Sequence, residues 1–157
     1  MRSFRPALAV MALLVAASGQ AWADDENFSV GASIGYSTRF ERAVGTLDLL
    51  VHVNRSFTVV PTVSFTEARG VHRWTVGGEL QWNAPVRRLH PRLMAWVGAG
   101  MVSLTEDPKG QGDATTRDLI AIAVAGVGYN APAAPFLQTR VSLGGPAEVV
   151  IALGVRF

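Results

Sequence analysis

The chain has 157 residues, 49% of them hydrophobic and 17% charged, with no cysteine and a single lysine, Lys109. Without cysteine there are no thiolate metal ligands and no disulfides, so packing and hydrogen bonding must hold the fold. Setting aside Arg2 and Arg5 in a leader-like start, basic and acidic residues are equal in number, and nothing in that balance points to nucleic acid.

Met1 to Ala23 reads as a secretory signal: Arg2 and Arg5 make a basic start, Ala7 to Ser18 an apolar run, and Ala21-Trp22-Ala23 the small-x-small site that signal peptidase accepts. The run is shorter than the roughly 18 to 20 residues of a membrane-spanning helix, so it is expected to be cleaved, leaving 24–157 as one domain. From Asn27 onward the pattern has period two, the mark of strands with two different faces. In the first run Phe28, Val30, Ala32, Ile34 and Tyr36 share a face, against Ser29, Gly31, Ser33 and Gly35. In the second, Val44 to Val53, Leu47, Leu49, Val51 and Val53 oppose Thr46, Asp48, Leu50 and His52, and Asn54-Arg55 reads as a tight turn. The third sets Phe57, Val59, Val63 and Phe65 against Thr58, Val60, Thr62, Ser64 and Thr66. Pro61 interrupts it, and because proline removes a ladder donor, a bulge or local gap is expected there.

The fourth run alternates most cleanly, His72, Trp74, Val76, Gly78, Leu80 and Trp82 against Arg73, Thr75, Gly77, Glu79 and Gln81, with Asn83 to Pro91 following as a turn. Runs five, Leu93 to Leu104, and six, Leu119 to Tyr129, carry Gly, Ala and Val on both faces, so the period leaves their facing open. Between them Thr105 to Thr116 is the longest polar stretch and reads as a loop. After a turn at Asn130 to Pro135, run seven sets Leu137, Thr139, Val141 and Leu143 against Gln138, Arg140 and Ser142. Gly144-Gly145-Pro146 turns the chain into run eight, where Val149, Ile151, Leu153, Val155 and Phe157 oppose Glu148, Val150, Ala152, Gly154 and Arg156.

Eight runs of about 9 to 11 residues suit strands that cross a bilayer at a tilt. The expected fold is therefore all-β: a closed, antiparallel, up-and-down transmembrane β-barrel of about eight strands in the outer membrane of a Gram-negative-type cell. Parity puts the short or proline-rich turns on the periplasmic side and the longest loop outside. The aromatic residues form two girdles, Phe28, Phe57, Trp82, Tyr129 and Phe157 at the periplasmic strand ends and Tyr36, Phe65 and Trp74 toward the outer ends, with Trp96 mid-strand. The opposite face of the strands is mainly small and polar, which suits the inside of a narrow barrel better than the surface of a soluble, lipocalin-like one. On this pattern the whole mature chain resembles the small outer-membrane barrels of the OmpA transmembrane domain, OmpX and OmpW kind. The terminal Val149-x-Ile151-x-Leu153-x-Val155-x-Phe157 is similar to the signal that the barrel-assembly machinery reads in that class. The resemblance implies outer-membrane lipid and that machinery as partners, with the protein a monomer.

The inward ionisable set is Asp48, His52, Arg73, Glu79, Arg140, Glu148 and Arg156, and all of these but His52 are expected as a lumen charge network because enclosed charges need partners. Asp48, Glu79 and Arg140 fall at mid-barrel, Arg73 and Glu148 toward the outer end, His52 and Arg156 toward the periplasm. Catalysis is not expected. Asp48 and His52 lie about 13 Å apart along their strand, no His-x-Ser pair occurs, and His72, placed beside Ser64 and Glu67, faces outward. Three scattered histidines give no metal-ligand spacing, the acidic loop lacks a calcium pattern, Gly98-x-Gly100 and Gly126-x-Gly128 precede no helix, and no cofactor is implied. The expected role is structural or surface-interacting in the cell envelope. The alternatives are a lipid A-modifying enzyme, a carrier for a small apolar molecule, and a soluble periplasmic barrel.

Overall fold

A computed structural model describes residues 28–157 apart from 69, 87, 109–115, 132 and 145–146; the leader and its cleavage site lie outside the described residues. Eight strands follow one another, β1 Phe28–Ser37, β2 Arg42–His52, β3 Phe57–Ala68, β4 Val71–Pro85, β5 Leu93–Pro108, β6 Thr116–Tyr129, β7 Ala134–Leu143 and β8 Val149–Arg156. Each pairs antiparallel with the next, and β8 returns to pair with β1, so the sheet closes into a barrel with no free edge. The near end carries the starts of β1, β3, β5 and β7 and the turns after β2, β4 and β6; the far end carries the other four connections. Alternation explains the facing. On β2, Val44, Thr46, Asp48 and Leu50 are buried inside while Leu47 and Leu49 point out, and every strand follows the same period of two.

Three predicted loops are shorter than expected. β5 runs on to Pro108 and β6 begins at Thr116, so Thr105 to Pro108 is strand; β4 continues through Asn83 to Pro85, and β7 begins at Ala134. These residues read as loop because both faces turn polar or small where the sheet projects past its apolar zone, and because proline is a turn signal. Pro85 and Pro108 close their strands and Pro135 is second in its own, positions that need little or no ladder donation. Pro61, mid-strand, produces a gap and no bulge. The β2–β3 register breaks after Asp48↔Thr62 and resumes unshifted at Val51↔Val59, while Pro61 stays paired with Gly78 on β4. Tight fit appears where two glycines meet large rings: a Cβ on Gly126 would overlap the Trp96 indole, and one on Gly154 the Phe136 ring.

The structure settles the facing of β5 and β6. Trp96, Val102 and Leu104 from β5 and Ile120, Ile122 and Val124 from β6 are buried in the lumen, and Val97, Met101, Leu119 and Val127 are exposed outside. This lumen wall is apolar, unlike the small, polar inner face expected throughout. Val102, Leu104, Ile120 and Ile122 form one cluster against the barrel's other, hydroxyl-rich side.

Candidate functional site: the barrel lumen

Three layers of side chains fill the lumen. At mid-height Arg140 from β7 reaches between β2 and β4, its Nη2 donating to Asp48 Oδ1 at 3.4 Å and to Glu79 Oε1 at 3.3 Å. Each carboxylate has a second donor, Thr62 Oγ1 to Asp48 at 2.6 Å and Gln81 Nε2 to Glu79 at 2.6 Å. Desolvated charges require such saturation. It is incomplete, because Glu79 Oε2 and Arg140 Nε are buried without a partner among the described residues.

Toward the far end Arg73 donates through Nη1 to Glu148 Oε2 at 2.7 Å, and its Nε lies 3.9 Å from Glu106. Ser37 donates to the other Glu148 oxygen at 2.6 Å and accepts from the backbone N–H of Phe40 at 3.3 Å. The β1–β2 turn thus folds inward, and the Phe40 ring lies 4.7 Å from the Arg73 guanidinium and 4.9 Å from that of Arg39. Between these two ionic layers a cavity of about 50 Å³ remains, with Thr46, Thr62, Thr66 and Thr75 on one side and Val102, Ile120 and Ile122 on the other. It holds no more than a few water-sized molecules.

The near-end layer is aromatic. The Arg156 guanidinium lies 3.9 Å from the Trp96 ring and 5.1 Å from Phe136, two rings that meet edge-on at 6.0 Å. Trp96 Nε1 donates to Gln138 at 3.3 Å. Of the six lumen charges expected from the sequence, Asp48, Glu79 and Arg140 come together, Arg73 and Glu148 come together, and Arg156 stands on aromatic faces with no carboxylate in ion-pairing distance among the described residues. Phe40 and Phe136 were missed. Phe136 obeys the inward parity of Gln138 and Arg140 and was legible; Phe40 sits in a turn, where the period carries no information.

The histidines are separate. His52 Nε2 meets Ser29 Oγ at 3.3 Å, and its Nδ1 meets Thr58 Oγ1 at 3.0 Å. Thr58 is fully buried and accepts from Asn83 Nδ2 at 2.7 Å. Among the described residues no carboxylate bonds the ring, Asp48 being held by Thr62 and Arg140. His72 lies 3.8 Å from Glu67 and stacks on Phe65 at 6.0 Å. Ser64, expected beside it, instead faces the lumen and hydrogen-bonds Thr75. His90 is in the β4–β5 turn, edge-on to Tyr129 at 5.5 Å. No group of three metal-ligating side chains occurs among the described residues.

On the outside, Phe57 pairs across strands with Trp82 at the near end and Phe65 with Trp74 toward the far end, the latter rings 4.5 Å apart. Phe28, Tyr129 and Phe157 complete the near-end row, and Tyr36 lies in the far-end one. Along β4 the two rows are eight residues apart, about 26 Å of strand and roughly 20 Å after a barrel's usual tilt. Of the terminal stretch, Ile151, Leu153 and Phe157 are exposed, and Val149 and Val155 half-buried on the same outer face. Phe157 also exchanges backbone bonds with Val30 at 2.8 and 3.1 Å, which knits the last residue to β1.

No protein-family model matches the sequence, and no curated protein matches it. Solved structures do. The N-terminal β-barrel domain of Pseudomonas aeruginosa OprF aligns over 83% of this chain and 95% of its own with a TM-score of 0.66 at 14% identity. Neisserial surface protein A, NspA, covers 83% of this chain and 96% of its own, TM-score 0.66 at 12% identity. The chain has the fold of the small outer-membrane barrels. The outer membrane enzyme PagL is a further neighbour, over 82% of this chain and 98% of its own, with a TM-score of 0.55 at 12% identity. At such identities the likeness is one of fold.

Proposed function

We propose that this chain is an exported, integral outer-membrane barrel whose role is structural or surface-interacting, with a lumen closed by its own side chains. The observation that carries this reading is the inversion of a soluble protein's surface. Large apolar residues such as Leu153, Leu119, Val76 and Met101 are 51 to 67% exposed on the outside, while Asp48, Arg73, Glu79 and Glu148 are at most 6% exposed within. In water such a contiguous belt is an aggregation surface; in lipid it is a solvent match. Two ionic layers across a lumen of eight strands argue against a diffusion pore or a carrier route through the centre. Lipid is the expected surround, the barrel-assembly machinery the expected partner in biogenesis, and the monomer the expected state.

A protease or labelling reagent on intact cells should reach the segment between β5 and β6 and leave the β4–β5 turn untouched; the opposite pattern would invert the orientation. Deletion of the gene should alter detergent permeability of the envelope without changing its lipid A profile. A changed lipid A profile would favour the enzymatic alternative, which the Ser29–His52 contact and the PagL fold likeness keep open. Removal of Phe157 should lower membrane insertion more than Phe65→Ala if the terminal aromatic serves assembly as well as anchoring.

A further inference from the structure

The two ends of the barrel differ in charge. At the far end acids and bases mix: Arg39, Glu41 and Arg42 in and beside one turn, Glu67, Glu106 and Asp118 at strand ends. At the near end, among the described residues, the exposed charged side chains are all basic, Arg55 in the β2–β3 turn and Arg88 and Arg92 in the β4–β5 turn, with His90 between the last two. Asp24, Asp25 and Glu26 precede β1 in the sequence and lie outside the described residues.

The β4–β5 turn is built, and its place is fixed. Leu89 and His90 both donate backbone N–H groups to Val86 O, at 3.1 and 3.3 Å, and Leu93 N–H donates to His90 O at 3.1 Å. Arg92 O accepts from Asn130 N–H at 2.8 Å, and the His90 ring rests edge-on against Tyr129. These contacts hold the turn at the level of the near-end aromatic row, where Trp82, Tyr129 and Phe57 are each more than 40% exposed. Leu89, 77% exposed at the tip, is an apolar residue that none of the described residues covers. Aromatic residues that mark a lipid interface, three exposed arginines in two neighbouring turns and one bare leucine form the surface that an anionic headgroup layer fits.

We infer that the near-end turns bind anionic phospholipid headgroups in the leaflet they meet, through Arg55, Arg88 and Arg92. The inference rests on the membrane reading above, and names what that end of the barrel recognises. An arginine near an anionic leaflet is worth about a fivefold preference, so engagement of even one should be measurable.

The test uses the mature chain folded into vesicles of equal phosphatidylglycerol and phosphatidylcholine, with bromine on the acyl chains of one lipid at a time, and reads tryptophan quenching. Trp96 is buried in the lumen and gives a constant background. A Trp74→Phe variant leaves Trp82 to report the basic end, and a Trp82→Phe variant leaves Trp74 to report the other. Trp82 should show about a fivefold or greater enrichment of phosphatidylglycerol, Trp74 none, and both high salt and Arg55→Gln/Arg88→Gln/Arg92→Gln should abolish the preference. The salt arm keeps the test decisive if the triple variant fails to fold. Equal quenching of Trp82 by the two lipids, or a preference that survives salt, overturns the inference and leaves the barrel reading intact. Quenching by neither lipid overturns both. Binding to isolated cell-wall sacculi that the triple variant loses, with its lipid preference unchanged, would assign the patch to an acidic wall polymer instead.

Discussion

The β2–β4 side and the β5–β6 side of this barrel solve the same problem, filling a narrow lumen, with opposite chemistry. Asp48, Thr62, Glu79 and Gln81 line the first, each side chain tied to a neighbour by at least one hydrogen bond, and across them reaches Arg140. The second offers Val102, Leu104, Ile120 and Ile122, which pack on one another and need no partner. The difference teaches where specificity and tolerance lie. A polar wall depends on the completeness of its bonds, so one deletion is felt by several residues; an apolar wall depends on volume, and substitutions there are felt locally.

The largest expected effect follows from the shared arginine. Arg140→Met leaves two buried carboxylates without their common donor, at a cost of about 3 to 5 kcal/mol, read as a shift in urea unfolding in detergent or vesicles. Replacing Asp48 and Glu79 by Asn and Gln in the same chain should recover much of it, and additive losses would show that the three do not form a unit. Next, the apolar exterior can be challenged at Met101, which pairs with Gly78 midway between Trp74 and Trp82. Met101→Arg should cost about 2 to 4 kcal/mol if that face meets hydrocarbon, whereas a water-facing position would change within about 0.5 kcal/mol. The two lumen walls are then compared by smaller cuts. Ile122→Ala should cost about 2 to 4 kcal/mol through its cavity, and Thr62→Val about 1.5 kcal/mol or more through the lost bond to a charged acceptor. A Thr62→Val effect that vanishes when Asp48 is already Asn would tie it to that bond.

The same contrast explains what was legible. Where the two faces of a strand differ, as at Arg73-Trp74 or Glu79-Leu80, period two assigns inside and outside without further information. On β5 and β6 both solvents are apolar, lipid outside and an aliphatic wall inside, so the pattern loses its contrast and register alone decides. Heights of the lumen charges followed from counting along antiparallel strands, which placed Arg140 level with both Asp48 and Glu79, with Glu79 its first expected partner and Asp48 the alternative. The structure has it bond both.

The sequence by itself therefore determined strand number, facing on six strands and the inventory of enclosed charges, because each is a property of periodicity along one chain. Only the tertiary structure decided that Arg140 is shared, that Arg156 rests on Trp96 and Phe136, and that Phe40 folds back over Arg73. Those contacts join residues on different strands, and they depend on side-chain reach across a lumen whose width and stagger are set only when β8 closes on β1.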